Sequence, residues 1–281
     1  MSAPPPTTNP GLGERLARLL LHYVLPPLLL FAVVITVWHY YATGIRIGET
    51  VILKTQPAFL VPSPAAVYTA AVNGREKLAT AVGLTALGAL AGFGASLLIG
   101  SLIAFLFSQS ALIQRAAYPY AIFLQTVPIV AIAPLIIIWF GNGFQAIAIT
   151  AFIVSLFPII TNGTEGLTAL DRNAVELFEV NNASRLQKLL KLRLPNSVPY
   201  FITGAKTSSG LSVIGGIVGE FFAGYGTEKF GLGYLIFQTS GQLRTADLFA
   251  AIIASTLLGL AIFGLVGLVG NLLLSRWKYA G

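Results

Sequence analysis

Six apolar segments, each long enough to cross a lipid bilayer, dominate the hydrophobic pattern of the chain. They cover roughly residues 24–43, 82–107, 117–140, 144–166, 197–222 and 248–274. The hydrocarbon core of a bilayer is spanned by about 20 apolar residues of helix. The pattern therefore predicts an all-α polytopic membrane protein with about six transmembrane helices.

One strongly polar stretch, residues 176–195, interrupts this pattern between the fourth and fifth apolar segments. The acidic side chains Glu176 and Glu179 come first, and four cations follow them. Leucines recur at helical spacing among the cations, which predicts a short amphipathic helix, and Pro195 is expected to stop that helix. Taken alone, the stretch fits an ordinary solvated loop equally well. Because the rest of the chain is suited to lipid, this polar stretch is expected to lie outside the membrane and to have a function there.

Composition supports the membrane class and excludes several kinds of site. The chain is 56% hydrophobic and only 10% charged, whereas a soluble domain has about 25% charged residues. It contains no cysteine, which excludes disulfides, thiol catalysis and cysteine metal sites. The net charge of +7 is attributed to Lys and Arg beside anionic lipid. We expect no nucleic-acid partner, because no basic stretch is interleaved with stacking aromatic residues.

The ends of the chain set its expected domain boundaries and orientation. Residues 1–10 are rich in Pro, Ser and Thr, which predicts disorder, and residues 12–23 have the pattern of a helix lying on the membrane surface. Residues 1–23 are therefore separated from a transmembrane domain at 24–281. Lys and Arg are modestly more frequent in the segments on the side of the N-terminus than in those on the opposite side, which predicts that the N-terminal side is cytoplasmic. With an even number of spans, both termini and the polar stretch are then expected in the cytoplasm.

The polar stretch resembles the EAA loop of ABC importer permeases. That loop has a glutamate, a glycine six positions later, an isoleucine ten positions further on, and then Leu-Pro. Here Glu176 and Asn182 occupy the first two positions, Leu192 the third, and Leu194-Pro195 the last. The match predicts that the segment has the same position and role as in those permeases.

The chain departs from the family pattern at three positions of the loop. Leu177 and Phe178 stand where the family has alanine, and Asn182 stands where it has glycine. After glycine, asparagine adopts a left-handed backbone most readily, so we expect the bend at Asn182 to be kept. The two bulky side chains alter the expected packing against a partner.

Two further segments resemble permeases of the nitrate, sulfonate and taurine class. One is Leu-Val-Pro-Ser-Pro at 60–64 and the other is Gly-Leu-Gly-Tyr-Leu at 231–235. In the first, Pro62 and Pro64 fix an extended turn, and Ser63 or the residues after it can cap the helix that follows. The second is expected on the outer side of the membrane.

The resemblance implies a permease subunit of an importer in the bacterial inner membrane. Its implied partners are two ATPase subunits, a second permease copy and an extracytoplasmic substrate-binding protein. A homodimer is expected, and a heterodimer with another permease remains open.

ATP and Mg would be bound by the ATPase, because this chain has no phosphate-binding loop, no metal cluster and no catalytic constellation. We therefore expect no cofactor and no enzymatic activity. The implied substrates are nitrate, sulfonates, taurine, or pyrimidine and flavin-type vitamin precursors.

The resemblance also assigns the contact with the ATPase. A helix covering residues 183–194 would lie in a groove of the ATPase and transmit its closure to the membrane spans. The expected coupling residues are Glu176, Glu179, Asn182, Ala183, Ser184, Arg185, Leu194 and Pro195.

Four residues are candidates for the solute pathway. Pro128 and Pro134 are expected to break the helix of the third segment. Gln125 lies three residues before Pro128 and is expected to be a buried amide. Lys206 and Glu220 are the charged residues of the fifth segment, near opposite ends of one face, with Gly210 between them. They either line a pathway or extend from the helix ends toward water.

Two other functional classes fit the sequence less well than a permease. A gradient-driven secondary transporter would need carboxylates near the middle of the bilayer, whereas Glu220 lies near the end of its segment and no inverted repeat is visible. A membrane enzyme would need the catalytic constellation that the sequence lacks.

Overall fold

The computed structural model describes residue 21 and residues 24–47, 50–223 and 230–278. The helix predicted at 12–23 and the disorder predicted at 1–10 fall almost wholly outside these residues. The strands are β1 (Ile45–Ile47) and β2 (Thr50–Leu53). The helices are α1 (Leu25–Thr43), α2 (Pro64–Asn73), α3 (Arg75–Gln109), α4 (Ala111–Thr126), α5 (Ile129–Phe140), α6 (Phe144–Thr168), α7 (Arg172–Val180), α8 (Arg185–Lys188), α9 (Leu194–Ala223), α10 (Leu232–Gly241) and α11 (Thr245–Lys278).

The chain divides into two compact units, residues 1–70 and 71–281. In the first unit, α1 leads into an antiparallel hairpin in which Arg46 pairs with Val51, an element that the sequence did not predict. Gly44 joins α1 to the hairpin with a φ of +77°, a backbone conformation that favours glycine. Ser63 accepts a hydrogen bond from the Ala66 amide at 3.2 Å, which confirms the predicted cap of α2.

The second unit is built around close contacts among α3, α6 and α9. The Ser155 hydroxyl of α6 lies 2.6 Å from that of Ser96 on α3. The Ser155 carbonyl accepts a hydrogen bond of 2.6 Å from Ser208 on α9. Gly215 of α9 packs so tightly that an added Cβ would lie 2.8 Å from the Thr150 carbonyl oxygen. Small residues and interhelical hydrogen bonds hold helices together in lipid, and here they join the three central helices.

The third apolar segment is broken, as its prolines predicted. Helices α4 and α5 form a pair bent by 97°, with Val127 and Pro128 between them. Proline cannot donate the backbone hydrogen bond that would carry a helix through this point. The sequence predicted a single broken span over 117–140, and the structure shows two helices at nearly a right angle.

By length and composition, four of the described helices could cross a membrane, namely α1, α3, α6 and α11. The α4–α5 pair would be a fifth span. Helix α9 falls outside that criterion, although the sequence predicted a span at 197–222. It has 30 residues, about 45 Å of helix, and packs against α3 and α6. On its length and packing we treat α9 as the sixth span.

Candidate coupling surface and solute pathway

The polar stretch folds into two short helices, α7 and α8, joined by a tight turn. Asn182 at this turn has a φ of +51°, so the predicted left-handed bend is confirmed. The Asn182 amide donates to the Glu179 carbonyl, and the Ala183 amide donates to the Phe178 carbonyl, each at 2.9 Å. This pair of bonds is the Schellman arrangement that ends a helix at a left-handed residue. Asparagine therefore performs the structural task of the family's glycine.

Helix α8 begins with a capping box, which was not among the predicted features of this stretch. The Gln187 amide donates to the Ser184 hydroxyl at 3.3 Å, and the Ser184 amide donates to Gln187 Oε1 at 2.7 Å. The sequence signal was present as Ser-x-x-Gln, which is the usual form of this motif. The turn between α7 and α8 is thus fixed from both sides.

The prediction that Pro195 stops the helix is wrong. Helix α8 continues through a π-helical turn, Leu189–Arg193, directly into α9, in which Pro195 is the second residue. The Leu194 amide bonds the Leu189 carbonyl, five residues back. Proline clashes with the preceding turn of an ordinary α-helix, and the wider π turn lies immediately before Pro195. The expected helix at 183–194 is therefore the start of a longer rod that extends to Ala223.

Side chains at the base of this rod fasten it to the neighbouring spans. Arg193 donates a hydrogen bond of 2.8 Å to the Ser108 carbonyl near the end of α3. Asn196 donates to the carbonyls of Gly166 and Ala169 at the end of α6, at 2.8 and 3.0 Å. The start of α9 is consequently held against both α3 and α6.

The predicted coupling carboxylates form exposed ion pairs. Glu176 lies 2.9 Å from Arg172 within α7, and Glu179 lies 3.3 Å from Lys188 of α8. Exposed pairs of this kind contribute about 0–1 kcal/mol to stability. The charges are therefore available to a partner at little cost to the fold.

Apolar side chains are exposed on the same two helices and on the π turn that follows them. Leu177 and Leu186 are each 62% exposed, Leu190 is 54% exposed, and Val180 is 82% exposed. A neighbouring hollow of about 280 Å³ is lined by Leu177, Phe178, Asn181, Ala183, Gln187 and Lys191. Exposed apolar groups among charges are typical of an interaction surface. We call residues 172–193 the coupling segment.

Lys206 and Glu220 contact different helices. The Lys206 ammonium lies 5.6 Å from the centre of the Phe263 ring on α11, and its side chain is only partly exposed. The interpretation that both groups extend from the helix ends toward water is wrong for Glu220, which is 1% exposed. A Cβ added at Gly210, between them, would meet nothing within 4 Å, so this point of α9 borders open space.

The Glu220 carboxylate is the centre of a buried hydrogen-bond relay. The Thr85 hydroxyl of α3 donates to it at 2.8 Å, and the Gly233 amide of α10 donates at 2.7 Å. The Leu232 amide in turn donates to the Thr85 hydroxyl at 2.8 Å. Because the two partners are remote in sequence, no spacing rule pointed to this arrangement.

Gln125 is exposed at the end of α4, so the expectation of a buried amide is wrong for this single chain. It lies one residue before the end of α4, next to the bend between α4 and α5. Its position beside the proline break is therefore as predicted, but its amide faces outward.

Comparisons with known proteins give matches over most of the chain. A family model for the binding-protein-dependent transport system inner membrane component matches residues 96–278. The formylaminopyrimidine transport permease protein ThiX of Halalkalibacterium halodurans is 30% identical over 258 residues, covering 92% of this chain and 97% of that protein. The riboflavin transport system permease protein RibX of Chloroflexus aurantiacus is 33% identical over 235 residues, covering 81% and 84% respectively.

A solved structure shows the same fold. The MetNI methionine ABC transporter, in an inward-facing conformation, gives a TM-score of 0.54 at 17% identity, covering 67% of this chain and 94% of that one. The family match, the two full-length relatives and the shared fold lead to one conclusion. The chain belongs to the family of inner-membrane components of binding-protein-dependent transport systems and is a permease subunit of an ABC importer.

Proposed function

We propose that this permease is driven by a separate cytoplasmic ATPase that docks on the coupling segment. One observation carries the proposal: exposed apolar and charged groups lie on a doubly capped turn that continues without a break into α9. A push on α8 would therefore act directly on a membrane-spanning helix. ATP and Mg would be bound by the ATPase, and this chain would hold no cofactor. Both termini would lie in the cytoplasm.

The energy source can be tested by uptake into proteoliposomes that contain the purified complex and its binding protein. We expect uptake to require ATP on the side of the coupling segment and to persist when ionophores remove proton and sodium gradients. Uptake that continues without ATP and stops with the ionophores would show a gradient-driven transporter and contradict the proposal.

Reversing the charge of Glu176 is expected to weaken association with the ATPase and substrate-stimulated ATP hydrolysis several-fold. The Glu176→Lys variant breaks only an exposed pair with Arg172, so the fold should lose less than about 1 kcal/mol. Pull-down of the ATPase and hydrolysis rates measure the effect. Asp247→Lys is the matched control, because it breaks the pair that Asp247, in the first turn of α11, forms with Arg244, the residue before that helix. Equal behaviour of the two variants would exclude Glu176 from the contact.

We infer that two copies of the permease assemble and enclose the pathway between them. Many large apolar side chains along α4 and α5 are exposed in the single chain. A second copy packed against these helices would bury them. A tagged copy should retain an untagged copy on purification of the complex. Retention of a different permease, and never of the untagged copy, would show a heterodimer.

The pathway is proposed to run past Gly210, where α9 borders open space. The chain contains no cysteine, so a Gly210→Cys variant offers a single reactive thiol. We expect it to react with a small water-soluble thiol reagent at a rate that changes when the ATPase is trapped with ATP. A Gly259→Cys variant on α11, also at an open position, serves as the comparison. A Gly210→Cys thiol that stays unreactive in every nucleotide state would place the pathway elsewhere.

We propose a heterocyclic vitamin precursor as the substrate. The names of two relatives support this class, since ThiX is named for formylaminopyrimidine and RibX for riboflavin. The Lys206 ammonium, which would suit an anionic solute, already forms a cation–π contact with the Phe263 ring. Uptake of labelled formylaminopyrimidine and riboflavin, compared with taurine, tests the class. Preferential uptake of taurine would contradict it and favour the sulfonate class instead.

A further inference from the structure

The short helix α10 depends on other helices for its N-terminal cap. Its N-cap residue is Gly231, which offers no side-chain hydrogen bond. The first amides of a helix have no partner within the helix and are usually capped by a local Ser, Thr, Asp or Asn. Here the amides of Leu232 and Gly233 are taken by Thr85 of α3 and Glu220 of α9. A carboxylate at this end of a helix also complements the helix dipole.

The glycines of the Gly-Leu-Gly-Tyr segment are explained by this cap. A Cβ at Gly231 would collide with the Glu220 carboxylate, and a Cβ at Gly233 would collide with the Ile217 carbonyl and lie 2.8 Å from the Glu220 Cβ. The first turn of α10 therefore lies directly against the last turns of α9. The segment that resembles the transport family is the one that lets the two helices meet.

Glu220 lies at the opposite end of the rod that begins at the coupling segment. The helix from Arg185 runs through the π turn to Ala223 without a break. Glu220 is in the last turn of that rod, so a displacement of α8 reaches it through continuous helix. By contrast, α10 has ten residues, about 15 Å of helix, and is too short to cross the membrane alone.

We propose that Glu220 and Thr85 are positioning residues for transport, which fasten the first turn of α10 to α9 and α3 so that α10 follows the movement of the coupling segment. This inference rests on the proposed coupling of the permease to an ATPase. It assigns the relay a mechanical role in addition to its contribution to stability. It also makes α10, on the proposed outer side, the element whose position the ATPase sets.

A second observation on α10 agrees with this role. Within the part of the chain that the structure describes, the buried Oε1 atom of Gln238 accepts no hydrogen bond. Buried polar atoms without a partner are rare in folded proteins and call for a partner. This oxygen would find a donor only after α10 has shifted relative to its neighbours.

The test follows α10 with a thiol at an exposed position. Ser240→Cys places a single cysteine near the end of α10, where Ser240 is exposed. The permease is purified with its ATPase, and the rate of reaction with a water-soluble maleimide is measured without nucleotide and with ATP and vanadate. We expect the trapped state to change the rate at least threefold.

Four variants in this background separate positioning from stability. Thr85→Val keeps the shape and removes the hydroxyl, and we expect the nucleotide-dependent change to fall, because the Leu232 amide loses its acceptor while the bond from the Gly233 amide to Glu220 remains. Glu220→Gln, which leaves one acceptor oxygen, should reduce it. Thr85→Ser keeps the hydroxyl and should restore the change. Thr164→Val is the matched control, because Thr164 is also buried and, among the described residues, its hydroxyl donates only to the Ile160 carbonyl of its own helix.

The possible outcomes distinguish the two proposals. If Thr85→Val responds to nucleotide as Thr164→Val does, or if the Ser240→Cys protein shows no response before any further change, the positioning role is wrong. If Thr85→Val fails to assemble, the same comparison is made with Glu220→Gln. A nucleotide-dependent change in labelling rate equal to that of Thr164→Val would then contradict the positioning role. Failure of the proposed coupling would appear earlier, as an ATPase that does not remain with the unsubstituted permease.

Discussion

Replacing Leu186 and Leu190 together with alanine is expected to weaken binding of the ATPase about a hundredfold. Both side chains are more than half exposed on the coupling segment. Burying a leucine in an interface contributes about 1.5–3 kcal/mol, so removing two should cost about 3 kcal/mol, and each 1.4 kcal/mol corresponds to a tenfold change in affinity. The dissociation constant of the ATPase from permease held in nanodiscs measures the effect.

The control for this variant is a single exposed leucine outside the coupling segment. Leu112, in the first turn of α4, is 78% exposed, and Leu112→Ala removes the side-chain atoms of one leucine. We expect it to leave the affinity within about twofold of the unsubstituted protein. If the double variant binds as tightly as Leu112→Ala, the exposed leucines of α8 and the π turn do not meet the ATPase.

Replacing Gly215 with valine is expected to destabilise the helix bundle by about 3 kcal/mol, at the upper end of the usual cost of overpacking. An added Cβ would lie 2.8 Å from both the Ala151 Cα and the Thr150 carbonyl oxygen. These are backbone atoms, which cannot move aside as a flexible side chain does. The expected result is a lower thermal unfolding midpoint and a smaller yield of monodisperse protein in detergent.

Gly210→Val is the matched control, because it makes the same change on the same helix. A Cβ there would meet no atom within 4 Å, so only the helix propensity of the residue changes. We expect its unfolding midpoint to stay close to that of the unsubstituted protein. Equal losses in the two variants would mean that α9 does not approach α6 as closely as the structure shows.

The apolar pattern predicted most of the fold because length and hydropathy are local properties. The predicted segments at 24–43 and 144–166 correspond closely to α1 (Leu25–Thr43) and α6 (Phe144–Thr168). The prolines also predicted the break between α4 and α5. They did not predict its angle of 97°, because the direction of a break depends on the helices packed around it. The β1–β2 hairpin was missed because its strands are only three and four residues long.

The candidate site divides in the same way between local and distant information. The bend at Asn182 followed from the conformational preference of asparagine, a property of a single residue. The buried position of Glu220 did not, because its partner Thr85 lies 135 residues away in the chain. The end predicted at Pro195 was wrong because a π turn, which depends on hydrogen bonds five residues apart, precedes the proline.

The helix ends of the coupling segment are capped by nearby residues in the chain, so the segment could be exchanged between permeases as one piece. Asp171, the residue directly before the segment, caps the start of α7, the Schellman bonds close its end, and Ser184 with Gln187 opens α8, so the backbone at each of these ends is satisfied by residues 171–187. Its exposed residues can therefore differ between relatives without disturbing the membrane helices. An exchange of this segment between two permeases should exchange the ATPase that each one accepts while leaving the solute pathway unchanged.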